Sequence, residues 1–287
     1  MRATTPKPWT GTSWRSWLLA GAGVAVFHLV LTMTGRPNPL WWPALGWGLA
    51  LVAWQGFWLL PILAADAAWA MWLTRAEGGV GPALATLGDA LLLAGEIGAA
   101  WWLYRKVGQG TRRLEDPHSA TVFLLVAPGA TAALFAAFQT LLWTSTGESA
   151  RPLLEMFSML WIARALGILV LAPALLVVAT PWLVLGGWVQ SDPEVRIPGG
   201  VMPQDWTWGE VIETAGLCLG ACVLAVVLIL VRLEQATPGW PLWGMSLLLV
   251  VWTSLRQGLR GGALAALASG LTVLVLAQAR GLQPADF

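Results

Sequence analysis

The sequence contains few charged residues. Only 11% of the 287 residues are charged, whereas about a quarter of the residues in a soluble domain are charged. A net charge of +1 gives no indication of a basic surface, so we expect no nucleic-acid partner. Long uncharged runs recur along the whole chain and exclude a soluble globular domain.

Patterns that carry enzyme chemistry are missing as well. The chain has no phosphate loop, no dinucleotide fingerprint and no metal-ligand spacing. His28 and His118 are each isolated in sequence, so we expect structural roles for both. Cys218 and Cys222 lie four residues apart in one apolar run, where helical geometry does not favour a disulfide. We therefore predict no enzyme activity, no metal and no cofactor in this chain.

Nine apolar segments follow one another along the chain and predict an all-α fold. Runs of roughly 18 or more apolar residues are candidate membrane spans. We expect a polytopic integral membrane helical bundle of about eight to nine transmembrane helices, in the bacterial cytoplasmic (inner) membrane. The segments cover residues 14–34, 40–54, 57–74, 83–104, 120–143, 157–182, 209–231, 241–255 and 259–279.

Two of these segments, 40–54 and 241–255, are short for a bilayer, which needs about 20 residues per helix. Each leads through a tight polar turn into the next segment, one at Gln55-Gly56 and the other at Arg256-Gln257-Gly258. This pattern favours two closely packed helical hairpins. A re-entrant conformation of either short segment remains an open alternative.

Lysine and arginine in the loops predict the orientation, because they are enriched on the cytoplasmic side of a membrane. The polar N-terminal tail, residues 1–13, does not resemble a cleaved signal peptide, since the apolar run after it is too long. If this tail is cytoplasmic and all nine segments span, ten basic residues lie inside and five outside. The loop 105–119 is then cytoplasmic, and Phe287 lies outside.

Tryptophan is abundant, with 21 residues, and many of them flank the predicted spans. The favoured interpretation is an interfacial aromatic belt, because these residues are spread over many segment ends. An aromatic cage around a ligand is the alternative. The flanking tryptophans include Trp41, Trp42, Trp101, Trp102, Trp182, Trp240 and Trp243.

Four ionisable residues lie inside the predicted spans: Asp66, Asp89, Glu96 and Arg164. Charges at membrane depth are costly and usually face the bundle interior, so these four are the candidate ligand-binding residues. Asp66, Asp89 and Arg164 fall roughly 9–12 Å below the outer edge of the bundle. Glu96 follows Asp89 by seven residues, which places both carboxylates on one helix face.

Two interpretations of these charges stay open. In the first, Arg164 pairs with Asp89 or Asp66 and fixes the packing of the helices. In the second, the charges line a polar cavity that opens outward and binds a small molecule or an ion. Because three carboxylates face one buried arginine, at least one acid must be neutral, solvated or bound to a cation.

Three strings carry a resemblance to a known family: PLWWPALGWGLALVAWQGFWLLPI, ARALGILVLAP and, most specifically, WTSLRQGLRGGALAAL. Together they resemble the bacterial membrane-associated sensor domain of the first MASE class, over about residues 14–282. The matching residues are Trp42, Pro43, Gly46, Gly167, Pro173, Trp252, Arg256, Gly258, Arg260 and Gly261.

Some of these motif residues have physical roles that can be stated separately. Gly258 and Gly261 permit a tight turn between helices and a close approach of their backbones. The two arginines of the third string are expected to anchor that turn at the cytoplasmic face. Pro43 fits the first turn of a helix, and Pro173 lies inside a span and should kink its helix.

The resemblance implies a sensor domain at 14–282, followed by a short C-terminal tail at 283–287. Family members commonly continue into one more span and a cytoplasmic histidine kinase or diguanylate cyclase module, so we expect this chain to stop before them. Two positions depart from the family pattern. Arg164 stands where the family has aspartate, and Asp89 stands where it usually has asparagine. The two changes resemble a charge exchange between neighbouring helices.

We therefore expect the sensory input domain of a bacterial signal-transduction receptor, which couples an unknown stimulus to a cytoplasmic kinase or cyclase. The expected partners are the lipid bilayer, that effector module and a small-molecule ligand, and a homodimer is left open. The alternative function is a small-molecule transporter, or the substrate-binding membrane subunit of one, which would use the same buried charges.

Overall fold

A computed structural model shows that every regular element in the described part of the chain is helical, which confirms the all-α prediction. The structure describes residues 14–34, 42–75, 80–111, 114, 117–147, 151–189, 207–234 and 240–279. Its α-helices are α1 (Trp14–Thr34), α2 (Pro43–Gln55), α3 (Leu60–Arg75), α4 (Val80–Lys106), α5 (Pro117–Leu124), α6 (Ala132–Thr146), α7 (Leu153–Ala174), α8 (Thr180–Leu185), α9 (Trp208–Glu234) and α10 (Trp240–Ala279).

Three short irregular helical pieces connect these helices. A 3₁₀ turn at Phe57–Leu59 precedes α3, and π segments at Leu125–Thr131 and Leu175–Ala179 join α5 to α6 and α7 to α8. The described helices therefore coincide with the nine predicted apolar segments, within a few residues at each end.

Five of the described helical stretches are long and apolar enough to cross a membrane. The predicted polytopic membrane bundle is confirmed, whereas the count of eight to nine spans stays a prediction. A shorter apolar helix lies at Phe57–Leu73. The five stretches are Trp14–Met33, Leu84–Lys106, His118–Thr146, Leu153–Leu185 and Trp208–Val227.

Helix α2, one of the two short segments, lies at the centre of the bundle. Every residue of α2 except Trp47 is buried, as expected for a helix that is apolar on all faces. Its chief neighbours are α7, α4 and α1. At 13 residues it is about 20 Å long, less than the roughly 30 Å thickness of the hydrocarbon layer. Whether α2 crosses the whole bilayer stays a prediction.

Two motif glycines allow α2 and α7 to cross with their backbones in contact. A Cβ atom at Gly46 would clash with the carbonyl oxygen of Gly167 and would lie 2.8 Å from the Cβ of Leu171. A Cβ atom at Gly167 would lie 2.6 Å from the carbonyl carbon of Trp42. Both distances are shorter than a van der Waals contact, so any side chain at either position would force the two helices apart.

Both predicted turns contain a glycine with a positive φ angle, 94° at Gly56 and 70° at Gly258. At Gly258 the chain folds back on itself. A Cβ atom at Gly262 would lie 3.3 Å from the Cα of Ser254, although eight residues of straight helix span about 12 Å. The tight reversal predicted at this turn is confirmed, and close packing of the two segments along the rest of their length stays a prediction.

The turn at Gly56 differs from the predicted hairpin. Helix α3 packs chiefly against α4 and α1, whereas α2 packs chiefly against α7, α4 and α1. The two helices that meet at Gly56 are therefore not each other's main partners, and the prediction of a closely packed pair was wrong here. The reason is that α2 is enclosed on all sides, and its small residues face several helices at once.

The irregularity predicted at Pro173 takes the form of the π segment Leu175–Ala179, which begins two residues later. Proline lacks the N–H that would continue the helical hydrogen-bond ladder, and π segments commonly relieve such interruptions. Thr180 fills part of the widened turn by donating to the carbonyl of Leu175 at 3.5 Å. Its hydroxyl also accepts a hydrogen bond from Trp54 Nε1 at 2.9 Å, which joins the start of α8 to α2.

Candidate functional site

Three of the four charged residues predicted from the sequence meet in the core of the bundle. Asp89 and Glu96 lie on one face of α4, and Arg164 lies on α7 opposite them. All three side chains are 0% exposed. Buried charges of this kind must be paired and hydrogen-bonded to be tolerated.

A continuous set of polar contacts joins these charges across α4, α6 and α7. Arg164 forms an ion pair with Glu96 through Nη1 and donates to Gln139 Oε1 through Nη2. Gln139 Nε2 in turn donates to Asp89 Oδ1 at 2.9 Å. Trp143 Nε1 lies 3.0 Å from Asp89 Oδ1 and 3.2 Å from Oδ2. We call Asp89, Glu96, Gln139, Trp143 and Arg164 the arginine network.

The pairing predicted for Arg164 needs correction. The sequence favoured Asp89 or Asp66 as its partner, but the ion pair in the structure is with Glu96. Asp89 belongs to the same network, is linked to the guanidinium through Gln139, and attracts it electrostatically. The reason is that α6 packs against both α4 and α7 and brings Gln139 between the two charges.

Trp42 covers the guanidinium from the side of α2. Its ring centroid lies 4.7 Å from the Cζ atom of Arg164, within the range of a cation–π interaction. The backbone N–H of Trp42 donates to the carbonyl of Ala163 at 3.2 Å. The close crossing at Gly46 and Gly167 therefore fixes the position of the tryptophan over the arginine.

Asp66 belongs to a different pair. Its Oδ1 atom lies 2.9 Å from His28 Nδ1, so the contact joins α3 to α1. Both side chains are partly exposed. His28, which is isolated in sequence, therefore has a partner that sequence reasoning missed. His28 lies about 9 Å from the end of α1, close to the depth inferred for Asp66, and this match was the signal that could have revealed the pair.

Sequence reasoning also missed Gln139 and Trp143. They stand four residues apart on α6, so their side chains share one face of the helix. Both are buried, and Gln139 is 0% exposed. A glutamine in the middle of an apolar segment is itself an indication of a polar contact between helices.

Most of the exposed tryptophans lie near helix ends, as an interfacial belt requires. Trp42 and Trp143 are exceptions, because both contact the arginine network. The exposed tryptophans among the described residues are Trp14, Trp17, Trp69, Trp72, Trp102, Trp161, Trp182, Trp208 and Trp252.

The remaining motif residues lie around the Gly258 turn, away from the arginine network. A Cβ atom at Gly261 would lie 2.6 Å from the Cβ of Gln257, so close packing explains this glycine. Gln257 accepts a hydrogen bond from Thr214 of α9 at 2.7 Å. Arg260 is partly buried, and the Arg256 side chain lies outside the described residues. The cytoplasmic anchoring predicted for these arginines stays a prediction.

Two polar atoms of the network have no hydrogen-bond partner among the described residues. They are Glu96 Oε1 and Arg164 Nε, and both belong to fully buried side chains. Among the same residues, no cluster of three or more histidine, cysteine, aspartate or glutamate side chains could hold a metal ion.

A helical membrane bundle with a buried network of charges defines the class of the protein as a multi-pass membrane protein in contact with the lipid bilayer. Residues 14–286 match the family model MASE1, so the chain belongs to this family of membrane-associated sensory domains and the resemblance seen in the sequence is confirmed. No curated protein and no solved structure matches the chain. Domains of this family provide sensory input and are not catalytic.

Proposed function

We propose that the chain is the input domain of a bacterial signal-transduction receptor and that its stimulus acts on the arginine network. Family membership supports the sensory role. The observation that carries the rest is the burial of two carboxylates and one guanidinium where α2, α4, α6 and α7 meet. Such groups are costly in a membrane and are functional candidates for that reason.

The network is suited to changing how helices pack. Removing one partner of a buried ion pair typically costs about 3–5 kcal/mol. A stimulus that alters the contacts of Arg164 therefore has a large effect on the free-energy difference between two arrangements of the helices. The stimulus must stabilise one arrangement of α4, α6 and α7 more than another. Two packed arrangements of this kind give an effector a discrete change to detect.

Helix α7 and the π segment Leu175–Ala179 provide a route from the network to the start of α8, towards the other end of the bundle. Arg164 and Thr180 are 16 residues apart, which is about 24 Å at the rise of an α-helix. The hydrogen bond from Trp54 to Thr180 joins the start of α8 to α2. With the orientation inferred from the basic residues, this end faces the cytoplasm, where a histidine kinase or diguanylate cyclase module would respond to the shift.

The proposal can be tested with the full chain fused to a diguanylate cyclase whose product is measured in cells. We expect Arg164→Gln to change the basal output at least tenfold, because it removes the charge that organises the network. Glu155→Gln is the matched control, since Glu155 lies on the same helix and its ion pair with Arg151 is exposed. Output that is unchanged in Arg164→Gln, with normal membrane yield, would contradict the proposal. Solute accumulation in proteoliposomes would instead favour a transporter.

A further inference from the structure

We propose that the pair formed by His28 and Asp66 binds one proton and holds it as an imidazolium beside a carboxylate. The site is separate from the arginine network, and only its use as a signal rests on the function proposed above. Two observations carry it: the hydrogen-bond contact between the two side chains, and a buried oxygen of Asp66 that has no hydrogen-bond partner among the described residues.

The pair joins a helix at the edge of the bundle to the helices inside it. Asp66 Oδ1 lies 2.9 Å from His28 Nδ1, and a hydrogen bond at this distance needs a proton between the two atoms. The side chains of His28 and Asp66 are 32% and 16% exposed, and only 22% of the α1 span is buried. In the orientation inferred from the basic residues, the pair lies in the outer half of the membrane.

Without a further proton the pair carries one negative charge. Neutral His28 then donates through Nδ1–H, and Asp66 is ionised, with Oδ2 buried and without a hydrogen-bond partner among the described residues. An uncompensated charge is among the most costly groups to hold away from water. One more proton makes the pair neutral overall, because an imidazolium then balances the carboxylate.

The elements packed around the pair offer no other cation, among the described residues, to balance Asp66. Helix α2 has no charged residue. On α1, Arg15 lies 13 residues from His28 and donates to the carbonyl of Gly186. On α3, Arg75 follows Asp66 by nine residues, about 13 Å along the helix, and its side chain lies outside the described residues. The charges of α4 are Asp89 and Glu96, in the arginine network, and Arg105 and Lys106 at the helix end.

The added proton resides on Nε2 of His28. Binding takes a proton from water and forms an N–H bond at Nε2, while Nδ1–H keeps its hydrogen bond to Asp66 Oδ1. A proton on Asp66 Oδ2 would instead be enclosed, with no acceptor among the described residues. The histidine is the more exposed of the two side chains. A poorly paired N–H there costs much less than an uncompensated carboxylate.

Proton binding should control how firmly α1 is attached. Histidine is the side chain that ordinarily changes its charge between pH 5 and 8. The contact between α1 and α3 is an ion pair while the proton is bound, so it should weaken as the pH rises and the proton leaves. Helix α3 packs against α4, which carries two acids of the arginine network. With the function proposed above, acidity outside the cell is then a stimulus.

Nuclear magnetic resonance of histidine ring nitrogens tests the site in the purified full chain in lipid nanodiscs, without any effector. The chain has two histidines, so ¹⁵N-histidine labelling gives two sets of signals, and His118→Gln identifies those of His28. We expect both ring nitrogens of His28 to be protonated at neutral pH. In Asp66→Asn the amide oxygen still accepts from Nδ1–H but carries no charge, so the proton affinity of His28 should fall about tenfold or more.

Glu155→Gln is the matched control, because it removes an exposed carboxylate and should leave the His28 signals unchanged. A neutral His28 ring at neutral pH in the unsubstituted protein would overturn the proposal, and so would an equal proton affinity of His28 in Asp66→Asn. Should Asp66→Asn fail to fold, the pH dependence of the unsubstituted protein still decides whether the ring holds the second proton. No fused cyclase is involved, so the proton site and the signalling role succeed or fail separately.

Discussion

Glu96 of α4 and Arg164 of α7 form an ion pair in which both side chains are 0% exposed. Asp89, about 10 Å away along α4, joins the same arginine through Gln139 of α6. The guanidinium of Arg164 therefore interacts with both carboxylates, and its helix, α7, also contacts the backbone of α2. A shift of α4, α6 or α7 relative to the other two would therefore disturb the hydrogen bonds of Arg164.

The two acids should be partly interchangeable in stability. Either Asp89→Asn or Glu96→Gln leaves one carboxylate to balance Arg164, so we expect each to cost about 1–2 kcal/mol, as for a lost hydrogen bond. The double variant leaves the guanidinium alone and should cost about 3–5 kcal/mol, more than the sum of the two single losses. A double-mutant cycle on thermal unfolding of the purified chain measures this coupling. Additive losses would show that the acids act independently.

The crossing of α2 and α7 should tolerate no side chain. We expect Gly46→Ala and Gly167→Ala each to cost about 1–3 kcal/mol through overpacking, because the added methyl group meets backbone atoms. Gly21→Ala is the matched control, since nothing lies within 4 Å of a Cβ at that position. It should be neutral or slightly stabilising, by up to about 1 kcal/mol. Equal thermal stability of all three variants would refute the close crossing.

The hairpin at Gly258 depends on a left-handed backbone conformation, with φ of 70°. We expect Gly258→Ala to cost about 1–2 kcal/mol, because a Cβ is unfavourable in that conformation. Gly216→Ala serves as the control, since this glycine is helical and its Cβ position is open. Thermal stability and membrane yield of the two variants give the comparison. A smaller loss at Gly258 than at Gly216 would show that the turn does not require glycine.

The sequence predicted the helices and the breaks between them well because both signals are local. Long apolar runs mark the spans, and the polar turns at Gly56 and Gly258 mark two of the breaks between helices. The pairing of helices was harder to predict, since segments that are apolar on every face do not show which face lies inside. For that reason the central position of α2, the insertion of Gln139 and the His28–Asp66 pair were all missed.

The orientation inferred from the basic residues can be tested by cysteine labelling in intact cells. Cys218 and Cys222 are first replaced by alanine, and single cysteines are placed at Val107 and Ser145, both exposed. We expect a membrane-impermeant external reagent to label Ser145→Cys at once, and Val107→Cys only after the cells are permeabilised. The reverse pattern would invert the topology and place the loop after α4 outside.

The last prediction concerns Gln139, whose amide separates Asp89 from Arg164. In Gln139→Glu the new carboxylate would still accept from Arg164, but its second oxygen would face Asp89 Oδ1 at about the 2.9 Å now occupied by a hydrogen bond. Two carboxylates at this distance cannot both be ionised, so the folded variant must hold a proton between them.

Because the folded state of Gln139→Glu then binds more protons than the unfolded state, its free energy of unfolding should fall as the pH rises. Gln139→Leu should cost about 1–3 kcal/mol by leaving buried groups unpaired, without adding this pH dependence. Gln109→Glu, in an exposed loop, controls for the added charge. Thermal unfolding of the purified variants between acidic and neutral pH makes the comparison. Parallel pH profiles for Gln139→Glu and Gln109→Glu would mean that Gln139 does not bridge the two charges. A steeper decline for Gln139→Glu alone would support its position between Asp89 and Arg164, because only a buried pair of acids holds a proton that unfolding releases.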